Sequence, residues 1–215
     1  MKRQQSGFTL VEIAIVLVII GLLLGGVLKG QELVNSAKVK NFINDFRSTQ
    51  LLIYGYQDKF KAIPGDDANA VTHVGAGATL APTVLTLGNG RIEGNFNSVT
   101  VTDESLAFWQ QVRLAGLATG STDFSTPATV VPTNADGGRI GVQSTSPITT
   151  MTGAYFVCSD SISGKLAKQI DITMDDGNTF TGSVRVTASP YAGPAVAIAT
   201  AAIVDNTTYI VCVAY

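Results

Sequence analysis

The feature that most limits what this chain can become is one apolar run near its start, Ile13 to Leu28. Between Arg3 and Lys29 the only charged side chain is Glu12. A stretch of that length lets a helix cross a hydrocarbon core of about 30 Å, so it reads as membrane-inserted. Lys2 and Arg3 precede it, and the positive-inside tendency keeps them in the cytoplasm and sends the rest of the chain across.

Two plainer readings fail on particular residues. A secretory signal peptide has a small-residue cleavage site after its apolar stretch. Here Leu28-Lys29-Gly30-Gln31 follows, and the helical pattern carries straight on. A simple anchor has no use for a carboxylate one turn into its apolar run, because an ionisable group at mid-bilayer costs about 2.5–3.5 kcal/mol. Glu12 therefore needs a partner.

Gly7-Phe8-Thr9-Leu10-Val11-Glu12, behind a short basic leader and ahead of an aliphatic run, resembles the class III leader and helix start of type IV pilins and of the pseudopilins of type II secretion. The resemblance implies that a membrane prepilin peptidase cuts between Gly7 and Phe8 and methylates the new amino terminus at Phe8. Glu12 corresponds to the family's acidic residue four places further on. The resemblance also implies a pilin fold, a helical polymer of this chain with or without minor pilins, and an inner-membrane assembly platform. Before assembly the subunit would sit in the bacterial inner membrane with its head outside the cytoplasm, and afterwards in a surface pilus or a periplasmic pseudopilus.

The chemistry of that start is coherent by itself. A cut after Gly7 creates an α-amino group that is largely cationic at neutral pH. Buried beside Glu12 of a neighbouring copy it would satisfy both groups and set axial register. Gly21, Gly25, Gly26 and Gly30 form two G-x-x-x-G spacings, which permit close helix approach or else local flexibility. Where many type IVa pilins carry a proline this chain has Lys29, so the helix melting centred there is expected to be absent or to move to Gly25-Gly26.

The pattern then turns one-sided. Val39, Phe42, Ile43, Phe46, Gln50 and Ile53 recur at helical spacing between charged and amide residues. The expected organisation is a leader at 1–7, one long helix at 8–60 (8–28 for membrane or filament core, 29–60 amphipathic), and a head at 61–215, large enough for its own core. Without Lys2 and Arg3 the chain has 12 basic and 16 acidic residues, a formal net charge of −4. Residues 61–215 hold seven basic and twelve acidic ones, which argues against specific nucleic-acid binding.

In the head, Pro64-Gly65 ends the helix, and Asp66 and Asp67, which could ligate a cation, are expected instead to cap a following helical turn. Residues 70–102 read as loop with one short strand. A second helix follows, capped by Thr102 or Asp103, with Leu106, Trp109 and Val112 inward and Gly116 as its stop. Residues 119–137 read as loop. Strands are expected at 139–143, 154–158, 182–186, 196–204 and 209–213, with a helix at 163–174 stopped by Gly177. The fold class is α+β, a long N-terminal helix on a short antiparallel sheet.

Cys158 and Cys212 both lie in the exported part, and an even count in an oxidising compartment points to one disulfide, with two separate buried thiols as the alternative. The family adds weight, since many pilins staple their C-terminal region with one such bridge. The single histidine, His73, sits in a Gly/Ala-rich stretch with no nucleophile or ligand partner at useful spacing, so no enzymatic site is expected. Asp175, Asp176 and Asn178 offer oxygen ligands of the kind calcium takes. Some major pseudopilins bind calcium in a C-terminal loop, but a helix-ending turn explains the same residues. The competing functions are a pilus subunit for adhesion, motility or DNA uptake, a secretion pseudopilin, and a membrane-tethered binding head that never polymerises.

Overall fold

The computed structural model describes residues 9–80 and 87–215. Gly7 and Phe8, the expected cleavage and methylation positions, lie outside the described residues. The chain divides into a unit ending at Lys38 and a second unit, Val39–Tyr215.

Helix α1 spans Leu10–Phe60. It is unbroken at Gly25-Gly26 and at Lys29. In the first unit every residue from Thr9 to Val34 is exposed. In the second unit α1 buries Val39, Phe42, Ile43, Phe46, Thr49, Ile53 and Tyr56. Thr49 takes the inward place expected for Gln50, because the stripe steps by three from Phe46 rather than by four. Its hydroxyl is satisfied within the helix by the Asp45 carbonyl at 2.7 Å, whereas Gln50 faces outward and donates to the Tyr54 hydroxyl. α1 stops where Lys61 turns left-handed (φ 55) and donates its N–H to the Gln57 carbonyl at 2.8 Å.

Four antiparallel strands form the sheet: β1 (Ile140–Gln143), β2 (Phe156–Ser163), β3 (Val184–Ala188) and β4 (Thr208–Ala214), in the order β1-β2-β4-β3. The C-terminal strand is therefore central. Alternation along β2 and β4 splits the core in two. Val157, Val211 and Val213 join Val184, Val186 and the α1 stripe in the larger cluster. Phe156, Cys158, Ile210 and Cys212 pack instead against Phe96, Ile148, Met151 and Ala197. With both faces covered, β4 is buried from Tyr209 to Val213.

Loops close both outer edges of the sheet. Beside β1, Ile140 donates to the Pro132 carbonyl and Ser144 to the Ile92 carbonyl. Gly141 is required here, since a Cβ would strike the Phe96 carbonyl oxygen. Beside β3, Val186 donates to the Thr179 carbonyl and accepts from Ile198 N–H.

The head corrects several expectations. Residues 70–74 form a short helix, α2 (Ala70–Val74), and the described parts of 70–102 contain no strand. Helix α3 (Glu104–Leu114) buries Leu106, Trp109 and Val112 as expected, but also everything else from Glu104 to Val112. Its second face is sealed by two buried glutamines. Gln111 accepts from Gly65 N–H at 2.6 Å, and Gln110 accepts from Thr79 N–H at 2.7 Å. Residues 127–129 form one 3₁₀ turn in the expected loop. The stretch expected as a strand at 196–204 lies along β3 but carries the 3₁₀ turn Thr200–Ala202, whose local bonds divert the backbone from a ladder. Helix α4 (Gly164–Met174) ends just before Asp175, ahead of the expected Gly177, which takes φ 83.

Candidate functional site

The most conspicuous site is the start of α1. Leu10, Val11, Ile13, Ile15, Val16 and Leu17 lead a run of large apolar side chains left outside any core. An 18-residue window reaches a mean hydropathy of 2.8, so the helix is long and apolar enough to cross a membrane. A surface of this kind needs lipid or another protein to cover it.

Glu12 is engaged within the chain itself. The Thr9 N–H and hydroxyl both donate to Glu12 Oε2 at 2.8 Å, and Glu12 N–H points back at the Thr9 hydroxyl at 3.3 Å. This is the reciprocal capping box of a helix start, T-x-x-E, which occupies donors that the first turn would leave unmet. The sequence reading gave Glu12 a partner only on another copy. The Thr9–Glu12 spacing was the signal for the second role.

Cys158 and Cys212 are directly opposed across β2 and β4 and joined in a disulfide. Both are buried on the loop-covered face of the sheet. The bond ties the two central strands together, and so the C-terminal strand to the head.

Asp67 caps the turn that leads into α2, as expected, its Oδ1 accepting the Asn69 N–H at 2.8 Å and its carbonyl the Ala70 N–H at 3.2 Å, whereas Asp66 does not. The turn after Gly65 directs both side chains inward, where each is about 2% exposed. Asp66 accepts backbone N–H bonds from Gly88, Asn89 and Gly90. Asp67 accepts from the Tyr56 hydroxyl at 2.8 Å and holds His73 Nδ1 at 2.6 Å, while Phe60 stacks on the imidazole. Burial and the neighbouring Asp67 push the Tyr56 hydroxyl above its ordinary range. His73 therefore has a partner six residues earlier, one that linear spacing concealed. The cleft beside them, about 470 Å³, has no Ser, Thr or Cys among its described lining residues. The pair holds a loop junction.

Deeper in the head, burial pushes the Glu104 carboxyl up to about 9, reinforced by the adjacent Glu93 and by Asp66. Its Oε2 accepts the Glu93 N–H at 2.9 Å.

A further acidic group lies at the end of α4, where Asp171, Asp175 and Asp176 offer oxygens within 4.8 Å of one another. Asp175 Oδ2 accepts from Ser183 and Val184 N–H, at the start of β3. Asp176 accepts from Asn178 N–H and the Thr181 hydroxyl. Asn178, expected as an oxygen ligand, accepts the Phe180 N–H on its Oδ1 at 3.3 Å. Asp171 was not among the expected ligands. The i, i+4 spacing of Asp171 and Asp175, one helical face, was the available signal.

The prokaryotic N-terminal methylation motif matches residues 2–28, which covers the basic leader, Gly7, Phe8, Glu12 and the apolar run. No curated protein and no solved structure matches the chain.

Proposed function

We propose, from the N-terminal methylation motif at residues 2–28, that the chain carries a class III prepilin leader of the type IV pilin and pseudopilin family and is the structural subunit of a type IV pilus-like filament. Prepilin peptidase cuts between Gly7 and Phe8, and Phe8 becomes the methylated amino terminus. The inner-membrane platform then draws α1 out of the bilayer into a bundle of identical helices. The observation that carries this reading is the fully exposed apolar face from Leu10 to Val34, directly behind the matched motif. A bundle of copies covers that face, as lipid does before assembly. Glu12 receives the Phe8 amino group of the neighbouring copy, exchanging its own Thr9 contact for a charged one. The head is exported, and its role is structural rather than catalytic.

The test is intact-mass analysis of filaments sheared from cells. A mass that starts at Phe8 and includes one added methyl group supports the proposal. A mass retaining Met1 to Gly7, or protein found only in membranes after shearing, overturns it. The membrane result would instead favour a tethered binding head.

One observation favours a second reading, a pseudopilin of a type II secretion system. The cluster at Asp175 and Asp176 has the oxygen chemistry that calcium takes, and calcium is the cofactor this reading would add. The disulfide and the large head weigh for the pilus subunit.

A further inference from the structure

Asp171 sits in the last turns of α4, fully buried, and no hydrogen bond of ordinary geometry reaches either of its carboxylate oxygens. A buried carboxylate without a partner is strongly disfavoured. Its surroundings worsen matters, because the C-terminal end of a helix is the negative end of its dipole. Its neighbours Asp175 and Asp176 are carboxylates too. Lys168, on the same helix, is engaged by Asp205 at 2.6 Å. A proton would satisfy one oxygen only.

On the cation reading of the Asp175–Asp176 turn, on which this rests, the geometry points to Asp171 as the ligand that makes the turn a binding site for one hard divalent cation, calcium, which clamps the end of α4 to the start of β3. Two oxygens on one calcium ion, each at about 2.3–2.6 Å, stand no more than about 5 Å apart. The three carboxylates meet that limit, lying within 4.8 Å of one another. An ion there neutralises a buried charge that no ion pair among the described residues reaches. Asp175 is also the residue that fixes Ser183 and Val184, so an ion shared with Asp171 couples helix to strand. An irregular turn supplies two of the ligands, which suits the adaptable shell of calcium better than the strict octahedron of magnesium.

The experiment melts the purified full-length protein in detergent micelles, following Trp109 fluorescence, in EGTA, CaCl2 or MgCl2. In calcium at one hundred times its dissociation constant the melting temperature should rise by about 5–10 °C, and by less in magnesium. Asp171→Asn, which keeps the shape and removes the charge, should lose that rise and melt in EGTA at or above wild type. No calcium effect on wild type removes the cation reading altogether. A calcium effect retained in Asp171→Asn, or an equal effect from magnesium, overturns the ligand or ion assignment and leaves the cation reading standing. Should the variant fail to fold, hydrogen exchange on wild type decides the matter: calcium should slow exchange at the Ser183 and Val184 amides, and unchanged rates refute the clamp.

Discussion

Replacing Glu12 by Gln separates two tasks of the wild-type carboxylate, the helix cap in the isolated chain and the charge proposed for the filament. In the isolated chain Glu12 closes the capping box with Thr9 through two 2.8 Å bonds to one oxygen. Glutamine closes the same box, so the helix start should survive the change nearly intact. The charge is another matter. If Glu12 holds the Phe8 ammonium of the next subunit in the filament, the variant leaves that cation buried and unpaired, at about 3–5 kcal/mol per subunit. That is about two to four orders of magnitude in the equilibrium for adding each subunit. Glu12→Ala gives a control, because it loses the cap as well, a further ~0.5–2 kcal/mol. The assay compares sheared filament yield from wild type, Glu12→Gln and Glu12→Ala in one host, with leader cleavage and membrane content measured in parallel. Pairing across copies predicts that both variants are processed and held in the bilayer, yet neither assembles. Normal filaments from Glu12→Gln alongside failure of Glu12→Ala would show that capping is the residue's whole contribution, and the register argument would then be wrong.

Two other outcomes follow from the head. Converting Cys158 and Cys212 to Ala frees a loop with a sequence separation of 54, which the chain-entropy relation values at about 4 kcal/mol. At about 2–4 °C per kcal/mol for a domain of this size, the oxidised head should melt about 8–16 °C above the variant, and a loss under about 3 °C would refute the link. For Glu104, the folded state keeps the proton up to about pH 9 while the unfolded chain releases it near 4.5. Its contribution to stability is therefore complete below about pH 4.5 and is lost as pH rises toward 9. Melting temperatures should fall between pH 7.5 and 9, and Glu104→Gln should flatten that slope; an unchanged slope would exclude Glu104 as its source.

The parts of this protein legible in its sequence are those fixed by local pattern. The apolar run and the α1 stripe from Val39 to Ile53 depend on neighbours a few positions away, and the structure places both in one helix, with Thr49 in the inward place expected for Gln50. The cysteine pair was readable because there are only two. What stayed hidden depends on contacts made over long separations. Nothing near Gln110 and Gln111 announces that they seal α3 against Gly65 and Thr79, more than thirty residues upstream. The stretch at 196–204 has strand composition, yet its own 3₁₀ turn wins over pairing. His73 looked isolated because the turn after Gly65 that brings Asp67 beside it is a tertiary feature. Asp171 reads along the chain as one more polar residue of an amphipathic helix, and only its burial sets it apart.

The closed flanks of the sheet bear on what happens when many heads are crowded together. A strand with free N–H and C=O groups along its border is a template on which another chain can add a strand, and at high local concentration that leads to aggregation. Here the segments around Pro132 and Ile92 occupy one border, and Thr179 and Ile198 the other. Heads held side by side therefore meet side-chain surface rather than open backbone. Growth through sheet extension is barred, and the spacing of copies is left to α1.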